Sequence, residues 1–176
     1  RSRARSPAPP IHEDGAAHEP RPNAKEEDMN APAYDIPPTD KIKSVKDNGI
    51  GWLIFDNPER RNAVSVEMSY AAGQVLDDFA ADPAVRVIIL RGGGDKAFIS
   101  GGDISTFEKR MSTPESRAQT EHIRAEARRK LHEIEKPTIA MIRGWSLGGG
   151  MSWALNCDLR ICTEDARFGI PAAKLS

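Results

Sequence analysis

The stretch that most constrains this chain runs from Thr138 to Leu155. Thr138-Ile-Ala-Met-Ile142 is an apolar run of strand length. It passes through Gly144-Trp-Ser-Leu-Gly-Gly-Gly150 into Met151-Ser-Trp-Ala-Leu155, which reads as the first turns of a helix. A buried strand that turns through glycines into a helix start aims several unpaired backbone N–H groups at one place. Glycine lets a ligand approach that backbone with no side chain in the way. The helix dipole adds about half a positive charge at the same end. The stretch therefore predicts an α/β fold and half of an anion-stabilising site.

Alternation of strand and helix elsewhere supports the same architecture. Lys41 to Lys46 alternates, Asp47-Asn-Gly49 signals a tight hairpin turn, and Ile50 to Phe55 forms the return strand. Ser65 is placed to cap a helix whose apolar stripe is Met68, Ala72, Val75, Leu76 and Phe79, ended by Asp82-Pro83. Val85 to Leu90 is nearly all apolar, as expected of a strand covered on both faces. Ala97 to Ile104 reads as a glycine-bearing loop. Thr113-Pro-Glu115 opens a long helix with the stripe Ile123, Ala127, Leu131 and Ile134. Leu159–Cys162 and Ala166–Ile170 read as two short strands.

Residues 1–40 differ from the rest. Most of the 13 prolines lie there, with few large apolar side chains, so this segment is expected to be a disordered tail and the folded domain to span 41–176. The basic start, Arg1 to Arg5, suggests a transit peptide, but the acidic run Glu26-Glu-Asp28 opposes that reading. Met29 is a candidate natural start, and the end at Ser176 suggests a truncated domain. A net charge of -1 gives no electrostatic basis for nucleic-acid binding, and no apolar run reaches the length of a membrane span. Cys157 and Cys162 form no disulfide framework, which points to a reducing, cytoplasmic compartment, or a mitochondrial one in a eukaryote; both are expected as buried free thiols. No metal-ligand spacing is present.

Two glycine loops, Ser100-Gly-Gly-Asp103 and Gly148-Gly-Gly150, each follow an apolar strand. If those strands are neighbours, each loop can offer one backbone N–H to the same oxygen, the arrangement that stabilises a carbonyl developing negative charge.

The ordered set of segments resembles the enoyl-CoA hydratase/isomerase (crotonase) family over about residues 41–175. Asn57-Pro-Glu-Arg-Arg-Asn-Ala63 is similar to a family segment near the CoA. Val85 to Gly92 with Lys96 to Ile104 resembles its first oxyanion loop, and Lys136 to Gly150 its second. Cys157-Asp-Leu-Arg160 and Ala166 to Pro171 continue the match. The resemblance implies a spiral of ββα units whose closing C-terminal helices are missing, and a homotrimer or hexamer were they present. It implies an acyl-CoA or enoyl-CoA thioester as substrate, with no separate cofactor. It makes Gly102 and Gly149 the oxyanion donors, with Arg61, Ala63, Gly101, Gly102, Asp103, Ile104 and Gly149 lining the CoA site. Asp103 itself is read as a structural cap. Arg60 and Arg61 are candidates for the CoA phosphates, against a default of solvent exposure.

The family's two proton-transferring glutamates fall on Ser152 and Ala172, and neither is a carboxylate. Ser152 is kept as a candidate that hydrogen-bonds a water. Hydration leads the expected reactions, with double-bond isomerisation, thioester hydrolysis and decarboxylation as alternatives sharing the same oxyanion. On the long helix, Glu121 and Glu133 are outside candidates, and His122 and His132 are read as a solvated face. Two readings from other classes stay open. One is a non-catalytic acyl-CoA binder. The other is a serine hydrolase, because Gly144-Trp-Ser-Leu-Gly148 matches a nucleophile elbow, although none of the four histidines follows Ser146.

Overall fold

A computed structural model describes residues 36–106 and 113–170. The expected proline-rich tail lies outside the described residues up to Asp35, and so does Ala172. The first elements are β1 (Ile42–Asp47) and β2 (Ile50–Phe55), an antiparallel hairpin. Asn48 and Gly49 both take positive φ, 50° and 86°, which is why this dipeptide makes the turn.

Helix α1 (Val66–Ala81) follows, and the Ser65 side chain accepts a hydrogen bond from Met68 N, as its position predicts. Then come β3 (Val87–Gly92), β4 (Ala97–Ile99), α2 (Pro114–Glu133), β5 (Thr138–Ile142), β6 (Trp145–Leu147), α3 (Gly149–Leu155), β7 (Leu159–Cys162) and β8 (Arg167–Gly169). Thr113 caps α2 through Ser116 N at 3.2 Å.

The strands form two sheets, ordered β1-β2-β3-β5-β7 and β4-β6-β8. Each sequence-adjacent pair from β3 onward is split between them, and the β2-β3, β3-β5, β5-β7, β4-β6 and β6-β8 pairings are all parallel. This corrects two expectations. Ala97–Ile99 is a fully buried strand rather than the start of a loop, and Trp145–Leu147 is a strand inside the glycine-flanked stretch. Three residues are too few to show a period, so only the pairing reveals them.

One face of the larger sheet carries Leu53, Phe55, Ile88, Leu90, Ala140 and Ile142 into the core. Met68, Ala72, Leu76 and Phe79 of α1, Ala127 and Leu131 of α2, and Trp153 and Ala154 of α3 meet them there. Burial of each large side chain contributes about 1.5–3 kcal/mol. Phe55 and Trp153 pack edge to face, with ring centroids 5.0 Å apart. Gly73 of α1 faces Ala127 of α2, where a Cβ would meet that of Ala127 at an ordinary packing distance of 3.8 Å.

The opposite face is less covered than the apolar strands suggested. Ile89 is half-buried, and Met141, Leu159 and Ile161 are exposed. The thiols also divide. Cys157 is buried and its pKa is pushed up to about 12, by burial first and by neighbouring Asp158 second. Cys162, expected to be buried, is exposed because it lies on the edge strand β7.

Candidate functional site

The two glycine loops emerge from β4 and β6, which lie side by side in the smaller sheet, and not directly from the long strands β3 and β5. Because β4 and β6 run parallel, both loops leave at the same end. A Cβ placed on Gly149 would lie 3.7 Å from Gly102 N and 3.7 Å from the Gly101 carbonyl carbon. The two loops thus pass close to each other, with room between them for about one methyl group.

Hydrogen bonding shows which amides are engaged. Val64 forms a parallel bridge with Gly102. Its N–H donates to Gly101 O at 2.9 Å, and its carbonyl accepts from Asp103 N at 2.9 Å. In a parallel bridge those flanking groups are used, so the N–H of Gly102 turns the other way. Gly149 is the first residue of α3, where an N–H has no acceptor within the helix. Both glycines are exposed. The arrangement offers two amides beside one another with no side chain on either.

The segment from 57 to 63 is tied beneath this pair. Asn62 is fully buried and takes φ of 58°. Its side-chain amide donates to Gly93 O at 2.9 Å and to Ala97 O at 2.7 Å, and its Oδ1 accepts from Asn57 N at 2.9 Å. Ser100 N donates to Arg61 O at 3.1 Å, which joins this segment to the first glycine loop. The supporting role of Asn62 is not readable in the sequence because both carbonyls it bonds lie more than 30 positions away.

Asp103 caps the short 3-10 turn Ile104–Thr106 by accepting from Ser105 N at 2.9 Å, the structural role expected of it. Arg60 Nη1 donates to Asp103 at 3.1 Å, so Arg60 is paired and does not stand free in solvent. Burial pushes the Asp103 carboxyl up, but the hydrogen bonds from Ser105 and the Arg60 cation outweigh it and hold the pKa below its ordinary value. Ala63 is half-buried, while Arg61 and Ile104 are exposed. The Arg61 side chain lines a hollow of about 310 Å³ with Lys96, Trp145 and Arg167, which includes neither Gly102 nor Gly149.

Ser152 is half-buried, three residues after Gly149 and so on the same face of α3. Among the other candidates, Glu133 bonds Arg129, and Glu121 accepts from Arg124 Nη1 at 3.4 Å. His122 and His132 lie on α2 away from its buried positions. Ser146 does not form a nucleophile elbow. It lies within β6 rather than at a strand-to-helix turn, is fully buried, and its Oγ contacts Met151 Sδ at 3.9 Å.

A sequence model of enoyl-CoA hydratase/isomerase matches residues 45–176. The chain belongs to the enoyl-CoA hydratase/isomerase family. It is 38% identical over 133 residues to a hydroxycinnamoyl-CoA hydratase-lyase from Pseudomonas fluorescens, covering 73% of this chain and 48% of the relative. It is 35% identical over 130 residues to a short-chain-enoyl-CoA hydratase from Clostridium acetobutylicum, covering 74% and 49%. A solved enoyl-CoA hydratase/carnithine racemase from Magnetospirillum magneticum superposes with a TM-score of 0.75 at 31% identity, over 78% of this chain and 52% of the other. The expected crotonase-like α/β fold is therefore the fold observed. The chain spans about half the length of the curated relatives it matches.

Proposed function

We propose that this chain carries the thioester site of an acyl-CoA-processing enzyme, in which the N–H groups of Gly102 and Gly149 hold the thioester oxygen as it becomes an enolate. The close approach of the two glycine loops, with Gly102 N 3.7 Å from where a Gly149 Cβ would stand, is the observation that carries this reading. Two fixed N–H donors favour the enolate over the neutral thioester because they meet charge that develops only as the reaction proceeds. Ala63 and Gly101 to Ile104, together with Arg61, whose side chain lines the hollow with Lys96, Trp145 and Arg167, are assigned to the CoA moiety. No cofactor beyond the CoA of the substrate is required.

The relatives' names favour water addition to, or removal from, an enoyl thioester. Isomerisation, hydrolysis and decarboxylation use the same intermediate. Ser152, one helical turn from Gly149, is assigned to orienting water, since a hydroxyl at this position cannot act as a carboxylate base. Assembly into homotrimers or hexamers belongs to the same proposal. Leu159 and Ile161 on the edge strand β7, and Phe168 on the edge strand β8, are exposed apolar side chains of the kind that meet further protein.

The test is Gly149→Pro. Proline suits the first position of a helix, so the change deletes one N–H donor at small structural cost. Assayed with a panel of enoyl-CoA thioesters by loss of the conjugated double bond, kcat is expected to fall by about 10²–10³. An unchanged rate overturns the assignment.

A further inference from the structure

The inward row of α2 contains one residue out of keeping with its place. Thr120, Arg124, Ala127 and Leu131 follow at intervals of four, three and four, the spacing of one helical face. Thr120, Ala127 and Leu131 are buried. Arg124 stands among them with its side chain only 20% exposed. A guanidinium is costly at such a position unless it is paired. Its Nη2 lies 3.8 Å from the place a Cβ on Gly102 would occupy. Among the described residues its hydrogen-bond partner is Glu121, which accepts from Nη1 at 3.4 Å and has a side chain 60% exposed. That contact is long for a charge-assisted bond, which ordinarily spans about 2.7–2.9 Å.

We infer that Arg124, held beside Gly102 on the inward face of α2, selects acyl-CoA thioesters whose short acyl chain bears a carboxylate. The inference rests on the reading that the thioester oxygen sits at Gly102 and Gly149. With two amides assigned to that oxygen, the planar fork of the guanidinium is left for a second, carboxylate-shaped anion a few bonds away. Glu121 occupies the fork loosely from outside, and a substrate carboxylate replaces it. The apolar pattern of α2 picks out Ile123 and Ala127, whereas the place of Arg124 is set by the packing of α2 beside the glycine loop.

The experiment titrates the full chain with succinyl-CoA and with butyryl-CoA, which match in length and differ in the terminal charge. Succinyl-CoA is expected to bind more tightly. Arg124→Met is expected to weaken succinyl-CoA by about 10–100-fold, the range for a hydrogen bond to a charged group, and to leave butyryl-CoA unchanged. Arg124→Lys restores part of the preference, and Glu121→Gln increases it by freeing the fork. Thermal unfolding of Arg124→Met checks that α2 still packs on α1. Equal weakening of both thioesters, or no preference in the unsubstituted chain, overturns the inference while leaving the oxyanion reading intact. Binding of neither thioester overturns both.

Discussion

The two glycine loops that meet at the site are held in place by opposite means. The loop at 100–103 is fixed by side chains. Asn62 clamps the strands beneath it through three hydrogen bonds, and the Arg60–Asp103 pair closes it from outside. The loop at 148–150 is fixed by their absence. Gly148 takes φ of 50° and ψ of -113°, a conformation that side chains disfavour. A Cβ on Gly150 would stand 2.0 Å from the Ile99 carbonyl oxygen. The first loop is thus positioned by polar bonds that can be deleted, and the second by the close approach of Gly150 to the Ile99 carbonyl. Together they place two amides side by side with no side chain between them.

The contrast fails or sharpens at particular residues. Gly150→Ala should cost the most, about 3 kcal/mol or more, because overpacking here forces backbone against backbone with no flexible side chain to yield. Urea unfolding should show the loss, and a midpoint close to that of the unsubstituted chain would mean that the second loop is not held by close packing. Asn62→Ala should cost about 2–3 kcal/mol, since it strands two buried carbonyls and the Asn57 N–H. The same denaturant measurement applies, and a loss below that of an exposed control such as Glu59→Ala would break the comparison from the other side.

Arg60→Ala should cost least, about 1 kcal/mol or less at neutral pH, because the arginine is half exposed. Its pH dependence has a definite sign. The folded pKa of Asp103 lies below its ordinary 3.8, so the carboxylate's contribution is fully present above that pH and is lost as pH falls through the lower, folded value. The stability gap between Arg60→Ala and the unsubstituted chain should therefore close on acidification below about 3.8. A gap that persists or widens there would show that Arg60 acts through packing and not through Asp103.

Much of the fold was legible because its signals are local. The Ser65 and Thr113 caps, the Asn48-Gly49 turn and the apolar stripe of α1 each depend on residues within a turn or two of each other, and the structure has them where the pattern placed them. Legibility declined wherever an element was short or its partner distant. Strands β4 and β6, three residues each, carry no readable period. The exposure of Cys162 followed from β7 lying at a sheet edge, which no composition reveals.

The sequence by itself determined that this chain is an α/β protein with two glycine loops at strand ends, and its ordered motifs determined its family. The strand–glycine–helix stretch from Thr138 to Leu155 specified that its second loop would end at a helix start, because backbone preference and helix periodicity act over a few residues. Only the tertiary structure decided that the loops of Gly102 and Gly149 lie close together, that Asn62 supports the first loop, and that Arg124 lies beside Gly102. Those contacts join residues more than 20 positions apart, and they arise when β4 pairs with β6 and α2 packs on α1. Which distant groups meet is set by how the whole core is buried.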